Sequence, residues 1–183
     1  MEQIRIHGRG GQGVVTAAEL IAIAAFKENK YAQAFPHFGV ERSGAPIKSY
    51  ARISSTPILT RERVYKPSVL IIQDHTLLEG GEDITQGIDK KTLIIINAPK
   101  GYTLTKKLPT KKVYISPATE IALNIFGKNI VNTVILGALA KHSNLIGIKS
   151  LKKAVHEKFR EKGKTIIKKN IMAIELAYQG KYE

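Results

Sequence analysis

A glycine-rich stretch near the start of the chain has the residue types and spacing of a phosphate-binding turn. Gly8, Gly10 and Gly13 fit the pattern G-x-G-x-x-G, and Gly11 adds a fourth glycine. Glycine tolerates positive φ and lets an anion approach the backbone, and a helix that follows adds unpaired N–H groups and a positive dipole end. The pattern gains weight because an alternating strand precedes it and an apolar helical run follows it. The sequence therefore predicts a strand, a turn and a helix that form an anion cradle.

The ordinary dinucleotide interpretation of this turn fails at the second predicted strand. A nicotinamide site needs an acidic residue about 20 positions after the glycines to bind the ribose hydroxyls. Residues 33–35 at that place are neither acidic nor arginine, and Glu28 and Glu41 fall before and after the strand end. The turn thus keeps a phosphate-binding geometry without a contact to the nucleotide sugar. Gly13 has the alternative role of letting the helix and the strand pack closely.

A second segment with candidate functional residues, residues 35–46, connects two predicted strands. It combines glycine, proline and aromatic residues with the adjacent pair Glu41 and Arg42. Loops at the carboxyl ends of strands line the ligand crevice of an open parallel sheet. A functional role for this loop is favoured, because long connections without regular secondary structure usually serve binding or catalysis. The alternative is a structural loop whose Phe35 and Phe38 cover the edge of the core.

Other reactive residue types offer little further chemistry. Asp74 and His75 end a predicted buried strand, where such residues cap a turn more often than they catalyse a reaction. No serine lies in a G-x-S-x-G nucleophile elbow, and the histidines lack a metal-ligand spacing. The absence of cysteine excludes disulfides, thiolate nucleophiles and cysteine-ligated iron–sulfur clusters. We therefore expect neither a catalytic residue nor a metal site in this chain.

The elements that must position these residues follow the spacing of one α/β domain over residues 1–183. Predicted strands cover residues 4–7, 31–35, 47–53, 68–73, 91–97 and 112–115. Predicted helices cover about residues 12–28, 117–126, 129–141, 148–161 and 165–178, so the last third is helical. Strands 68–73 and 91–97 are continuously apolar, as central parallel strands are, whereas 47–53 alternates and predicts one solvated face. The fold class is an open, mostly parallel α/β sheet flanked by helices.

The composition is that of an ordinary globular protein. Hydrophobic residues make up 43% of the chain and charged residues 24%. No apolar run approaches the roughly 20 residues that a membrane span needs. The chain begins directly in a predicted strand, which favours a protein without a signal peptide. We expect a cytoplasmic protein without a membrane partner.

The net charge of +14 is concentrated in the C-terminal half. Residues 1–99 carry 12 Lys and Arg against 10 Asp and Glu, whereas residues 100–183 carry 17 against 5. Sixteen of those 17 are lysines, and lysine without interleaved arginine and aromatics argues against a nucleic-acid partner. Two interpretations stay open: a solvated basic surface, or docking of an acidic protein or a phosphorylated cofactor.

The glycine turn and the 35–46 segment together resemble the gamma subunit, or gamma domain, of the 2-oxoacid:ferredoxin oxidoreductases. The resemblance covers residues 3 to about 140 and rests on two motifs, Gly8-Arg9-Gly10-Gly11-Gln12-Gly13 and Phe35-Pro36-His37-Phe38-Gly39-Val40-Glu41-Arg42-Ser43-Gly44-Ala45-Pro46. The second motif is closer to the pyruvate and 2-oxoisovalerate members than to the 2-oxoglutarate members. The family has a Rossmann-like fold, which agrees with the predicted order of strands and helices.

The resemblance implies a subunit of an enzyme that converts a 2-oxoacid to an acyl-coenzyme A and reduces ferredoxin. It assigns thiamine diphosphate, Mg²⁺ and the iron–sulfur clusters to alpha, beta and delta partners, and makes this chain inactive alone. It also implies that the chain lies where coenzyme A reaches the enzyme. The implied cofactor-binding residues are Gly8, Arg9, Gly10, Gly11, Gln12, Gly13, Glu41 and Arg42. The alternative is a free-standing regulatory module that binds a nucleotide or phosphate, and a nucleic-acid binder has the least support.

Overall fold

A computed structural model describes residues 1–37, 44–80 and 83–180 as one sheet with associated helices. The strands are β1 (Glu2–Arg9), β2 (Tyr31–Pro36), β3 (Pro46–Ser54), β4 (Val69–Ile72), β5 (Leu93–Asn97) and β6 (Val113–Ser116). The α-helices are α1 (Val14–Phe26), α2 (Ala118–Phe126), α3 (Val134–His142), α4 (Ile148–Lys158) and α5 (Lys164–Gln179). Short 3₁₀ turns cover His75–Glu79 and Arg160–Lys162. These bounds agree with the predicted order of elements and with a helical C-terminal third.

The sheet is mostly parallel, as the sequence predicts. The six strands lie in the order β2-β3-β1-β4-β5-β6. Strands β1, β4, β5 and β6 are parallel, whereas β3 runs antiparallel to both β1 and β2. The carboxyl ends of β1, β2, β4, β5 and β6 therefore meet at one edge of the sheet. The glycine turn follows β1 at this edge, which is where ligands bind in open α/β sheets.

The α-helices of the described ranges contribute to a core on one face of the sheet. Side chains of all five pack with alternate residues of β1, β3, β4 and β5. The opposite face of β4 and β5 packs instead against the His75–Glu79 turn and irregular segments up to Leu108. The prediction of flanking helices is thus confirmed for one face. The covering segments carry Gly, Pro and Asp rather than a helical repeat, which explains their irregular backbone.

No helix among residues 1–37, 44–80 and 83–180 has the length and apolar character to cross a membrane.

The solvated face predicted for the third strand is wrong. Arg52 on that face is only 1% exposed. Its guanidinium lies 4.9 Å from the ring centroid of Phe35 and donates to Gln33 Oε1 at 3.1 Å and to the carbonyl oxygen of Glu62. The face is covered because β3 lies inside the sheet, between β2 and β1, and the chain near Glu62 crosses over it. A buried guanidinium is tolerated there because carbonyl, amide and ring partners replace its water.

Candidate functional site

The glycines of the turn differ in what they contribute. A Cβ at Gly8 would lie 2.6 Å from Val14 Cγ2, so this glycine lets β1 and α1 approach each other. Gly13 has φ +71° directly before α1, and its Cβ position would overlap the side chain of Asn132. Gly11 has φ +92°, and no described atom lies within 4 Å of its Cβ position. Among the described atoms, the turn is therefore open at Gly11 and closed by packing at Gly8 and Gly13.

The side chain of Arg9 is held across the edge of the sheet by three hydrogen bonds. Its Nε donates to Asp74 Oδ2 at 2.9 Å, its Nη2 to Thr76 Oγ1 at 2.8 Å, and its Nη1 to the carbonyl oxygen of Gly44 at 3.2 Å. Burial would raise the pKa of Asp74, but hydrogen bonds from Thr76 and Arg9, together with the Arg9 charge, hold that pKa below its ordinary value. Asp74 is ionised at neutral pH, so it offsets part of the positive charge that Arg9 brings to the turn.

Backbone hydrogen bonds join the turn to itself and to the residues before β3. The N–H of Gly10 donates to the carbonyl of Ala45 at 2.9 Å, and the N–H of Gly44 donates to the carbonyl of Gly10 at 3.1 Å. The N–H of Arg9 donates to Gln12 Oε1 at 2.8 Å, and the N–H of Gln12 donates to the carbonyl of Arg9 at 3.0 Å. Three N–H groups of the predicted cradle are thus used within the protein. The two motifs that carry the family resemblance are in direct contact.

A buried polar side chain without hydrogen-bond partners lies against the turn. Gln73 follows β4 with 0% exposure, and within the described chain neither Nε2 nor Oε1 has a partner. Its Oε1 is 3.0 Å from the Cβ position of Gly8. A buried amide left unpaired costs about 1–3 kcal/mol, so this site favours a polar atom from water or a ligand. Gln73 is not among the residues predicted from the sequence, although a polar residue that ends an apolar strand is a visible signal.

The two neighbouring strands also end in polar residues at the same edge. Asn97 ends β5 and donates to the carbonyl of Gln73 at 2.8 Å and to Thr119 Oγ1 at 2.9 Å. Ser116 ends β6 and is buried, and its hydroxyl has no partner in the described ranges. A small cleft of about 120 Å³ is bounded by His75, Asn97 and Thr119. The carboxyl edge is thus polar from the glycine turn to β6.

The predicted capping role of Asp74 and His75 is confirmed for Asp74. Its Oδ1 accepts hydrogen bonds from the N–H of Thr76 at 3.1 Å and from the Thr76 hydroxyl at 2.6 Å, at the start of the 3₁₀ turn. The ring of His75 packs edge-on against Tyr102, with the centroids 4.9 Å apart. Asp74 therefore fixes Arg9 and begins the following turn, which are structural tasks.

The structure brings together six of the eight predicted cofactor-binding residues, those from Gly8 to Gly13. Glu41 and Arg42 lie outside the described residues. Nearby in sequence, Gly44 contacts both Arg9 and Gly10. Among the residues that the structure describes, no three His, Asp or Glu side chains form a candidate metal site.

Four of the 17 lysines and arginines of residues 100–183 line a groove on the helical side. The groove has a volume of about 860 Å³. Its basic lining residues are Lys27, Lys149, Lys152, Lys153, His156 and Arg160. Two of these lysines are paired, Lys27 with Glu157 at 2.5 Å and Lys152 with Glu175 at 2.6 Å. Such exposed pairs contribute little to stability, about 0–1 kcal/mol each. The groove contains none of the turn residues.

The fold is a Rossmann-like α/β domain whose glycine turn lies at the carboxyl edge of the sheet. The family model for pyruvate ferredoxin/flavodoxin oxidoreductase matches residues 3–180. The chain is 44% identical over 183 residues to the pyruvate/ketoisovalerate oxidoreductases common subunit gamma of Pyrococcus furiosus, which covers 98% of this chain and 96% of the relative. It is 46% identical over 155 residues to pyruvate synthase subunit PorC of Methanosarcina barkeri, 85% of each chain. The crystal structure of pyruvate oxidoreductase subunit PORC from Thermotoga maritima has a TM-score of 0.78 at 30% identity, covering 97% of this chain and 95% of that one.

The chain belongs to the pyruvate ferredoxin/flavodoxin oxidoreductase family. It aligns along most of its length with gamma and PorC subunits, so it is a subunit-type member of this oxidoreductase family. The family resemblance predicted from the two motifs is confirmed. The alternative of a free-standing regulatory module gains no support from these relatives.

Proposed function

We propose that this chain is the gamma subunit of a pyruvate or 2-oxoisovalerate:ferredoxin oxidoreductase that works in the cytoplasm. The alignment with gamma and PorC subunits over nearly the whole chain carries the proposal. The enzyme oxidatively decarboxylates a 2-oxoacid to an acyl-coenzyme A and passes the electrons to ferredoxin. The chain has no cysteine to bind an iron–sulfur cluster. We therefore assign the clusters, thiamine diphosphate and Mg²⁺ to alpha, beta and delta partners, which supply the reaction chemistry.

Assembly with these partners is the direct test. We expect an affinity-tagged copy of this chain to co-purify with co-expressed alpha, beta and delta subunits, and the complex to reduce ferredoxin in a pyruvate-dependent assay. The matched control is the same co-expression without this chain, which we expect to give little assembled enzyme. The proposal fails if the chain neither co-purifies nor changes that activity.

Within this enzyme, we propose that the glycine turn borders the path of coenzyme A and contacts one of its phosphates. Three observations support the assignment. The turn lies at the carboxyl edge of the sheet, and Gly11 is open to an approaching ligand. The buried amide of Gln73, which lies against the same turn, has no hydrogen-bond partner among the described residues. Glu41 and Arg42 are included in the proposed site because they precede Gly44, which contacts Arg9 and Gly10.

A pair of substitutions at Gly11 tests this placement by charge alone. Gly11→Asp and Gly11→Asn introduce side chains of nearly equal shape, and both residues tolerate positive φ better than most. A carboxylate a few ångström from a phosphate is repelled by about 1–4 kcal/mol, depending on the local dielectric. We expect the assembled enzyme with Gly11→Asp to have an apparent KM for coenzyme A about tenfold higher than with Gly11→Asn, and the ratio to shrink as salt is added.

The same two variants test the coenzyme A contact independently of the proposal that this chain is a gamma subunit. Equal KM values for coenzyme A in the two assembled variants, with activity retained, would contradict the phosphate contact and leave the gamma-subunit proposal intact. A matched control is Arg61→Gln, which changes one exposed charge away from the turn. We expect this control to leave the KM for coenzyme A unchanged.

A further inference from the structure

The basic groove on the helical side lies far from the glycine turn. Its wall is formed by α4 together with Lys27, which follows α1, and Ile171 of α5. Helix α1 begins at the turn and has 13 residues, so Lys27 lies roughly 20 Å from the turn along the helix axis. A phosphate bound at the turn is therefore out of reach of the groove, and the proposed contact with coenzyme A leaves the groove unused.

The cationic side chains of the groove form a row along one face of α4. Residues i, i+3, i+4 and i+7 of a helix share a face, and this spacing relates four lining residues, Lys149, Lys152, Lys153 and His156. The row is about 10 Å long from Lys149 to His156, at a rise of about 1.5 Å per residue. Arg160 lines the same groove just after the helix. Charges spread over this length suit an extended polyanion better than a single phosphate group.

The groove carries cations that no described carboxylate neutralises. Lys27 and Lys152 each form an ion pair with a glutamate of this chain. The other cations of the lining are exposed and have no ion pair within the described ranges; they are Lys149, Lys153 and Arg160. Residues 148–183 carry ten Lys and Arg against four Asp and Glu, a count that includes the undescribed residues 181–183. All undescribed residues together carry three Glu against one Lys and one Arg, so they leave this part of the chain basic.

An acidic protein segment is the extended polyanion that these residues fit best. Sites for single-stranded nucleic acid combine basic residues with aromatic rings on which bases stack, and the described lining of the groove has no Phe, Tyr or Trp. Protein partners are implied by the family, because the relatives that this chain matches along most of its length are subunits of oxidoreductases. The charge of the groove is complementary to a segment rich in Asp and Glu.

We propose that this groove docks an acidic segment of another subunit of the enzyme, with Lys149, Lys153 and Arg160 as its counter-charges. The inference rests on the gamma-subunit function proposed above. A subunit is favoured over the electron acceptor, because this chain has no cysteine for a cluster and the acceptor has to reach only the subunits that hold clusters. Lysine is depleted at the centre of protein interfaces, so the groove belongs to a polar rim. Charges at a rim determine partner choice and association rate more than affinity.

Carbodiimide cross-linking of the co-expressed and purified complex identifies the partner directly. The reagent joins a lysine amine to a carboxylate that is in contact with it, and mass spectrometry identifies the joined peptides. We expect cross-links from Lys149 or Lys153 to Asp or Glu residues of one other subunit. Cross-links from these lysines only to carboxylates of this chain, or only to added ferredoxin, would overturn the proposal, as would the absence of any cross-link from them.

Charge reversal measures what the groove contributes to assembly. We expect the triple variant Lys149→Glu, Lys153→Glu and Arg160→Glu to lower the yield of complex that co-purifies with the affinity-tagged chain about tenfold at about 0.1 M salt, because attraction becomes repulsion at three positions. The loss should shrink at about 1 M salt, where the Debye length is only about 3 Å. The neutral variant with Gln at the same three positions should give a smaller loss. Thermal unfolding of each free chain checks that the variants are folded.

The matched control reverses three exposed lysines that do not line the groove, Lys90, Lys107 and Lys111. We expect this control to keep the yield of complex within about twofold of the unchanged protein, although its change in net charge is identical. A control that loses as much complex as the groove variant would show that net charge alone governs assembly, which overturns the proposal.

The remaining outcomes distinguish the groove from the function on which it rests. If the unchanged chain does not assemble with the other subunits, the gamma-subunit proposal fails and this inference fails with it. If the unchanged chain and the groove variant assemble equally well, only the docking role is overturned. Normal assembly with a raised KM for ferredoxin would assign the groove to the acceptor, and a difference that nuclease treatment abolishes would assign it to nucleic acid; either result overturns the proposal.

Discussion

Replacing Gly137 with alanine is expected to destabilise the full-length protein by about 2–3 kcal/mol. Gly137 is buried in α3, where α3 packs on α5. A Cβ at this position would overlap the carbonyl oxygen of Ile174 and lie 2.8 Å from Ala177 Cβ. Moving the backbone atoms of a helix costs much free energy, because it distorts the helix. The added methyl group therefore forces α3 and α5 apart. Urea unfolding measures the loss, and a thermal scan should show a midpoint lowered by roughly 4–12 °C.

The sign of this effect is diagnostic. In a helix interior without such contacts, Gly→Ala stabilises a protein by about 0.5–1 kcal/mol, because glycine has the larger unfolded-state entropy. Gly80→Ala is a control: φ at Gly80 is −73°, and the one described atom near its Cβ position is the carbonyl oxygen of Leu77, at an ordinary 3.4 Å. We expect this control to change the unfolding free energy by no more than about 0.5 kcal/mol. A Gly137→Ala protein as stable as the parent would show that α3 and α5 do not approach this closely.

The local sequence predicts a strand's environment best where both faces of the strand are buried alike. The apolar runs of β4 and β5 are buried on both faces, as their composition predicts. The position of β3 within the sheet could not be predicted from its sequence, because pairing between distant strands depends on the whole fold and not on the local repeat. The alternation of polar and apolar residues in β3 indicated a strand with one solvated face. Insertion between β2 and β1 instead buries Arg52, whose partners Gln33 and Glu62 lie on different segments.

In the candidate site too, the sequence predicts local structure but not the contacts between residues that are far apart in the chain. The position of the glycine turn between β1 and α1 follows from its sequence pattern. The contact of Arg9 with Asp74 joins residues 65 positions apart, and no spacing rule foresees it. That contact holds Arg9 against Asp74, whereas Gly11 is exposed. The sequence shows Gln73 as a polar residue at the end of the apolar run of β4, but its full burial and its lack of hydrogen-bond partners among the described residues follow only from the fold.

The predicted glycine requirement at position 13 has two components that a double-mutant cycle separates. Gly13 has φ +71°, where alanine costs about 1–2 kcal/mol, and its Cβ position lies 2.8 Å from Asn132 Cγ. We expect Gly13→Ala to destabilise the protein by about 3 kcal/mol, through both backbone strain and overlap. In an Asn132→Ala background the overlapping amide is absent, so Gly13→Ala should cost only about 1–2 kcal/mol. Urea unfolding of the four proteins gives the coupling free energy between the two sites.

Gly11→Ala supplies the control for the strain component alone, because Gly11 also has positive φ, at +92°, but no described neighbour within 4 Å. Its cost should match that of Gly13→Ala in the Asn132→Ala background. If Gly13→Ala lowers the free energy of unfolding equally with and without the Asn132 amide, the overlap does not exist. The backbone conformation alone then requires glycine at position 13. A coupling of about 1–2 kcal/mol would instead show that Asn132, just before α3, fixes the start of α1. The glycine would then shape the turn by admitting a neighbouring side chain, a role separate from any contact with phosphate.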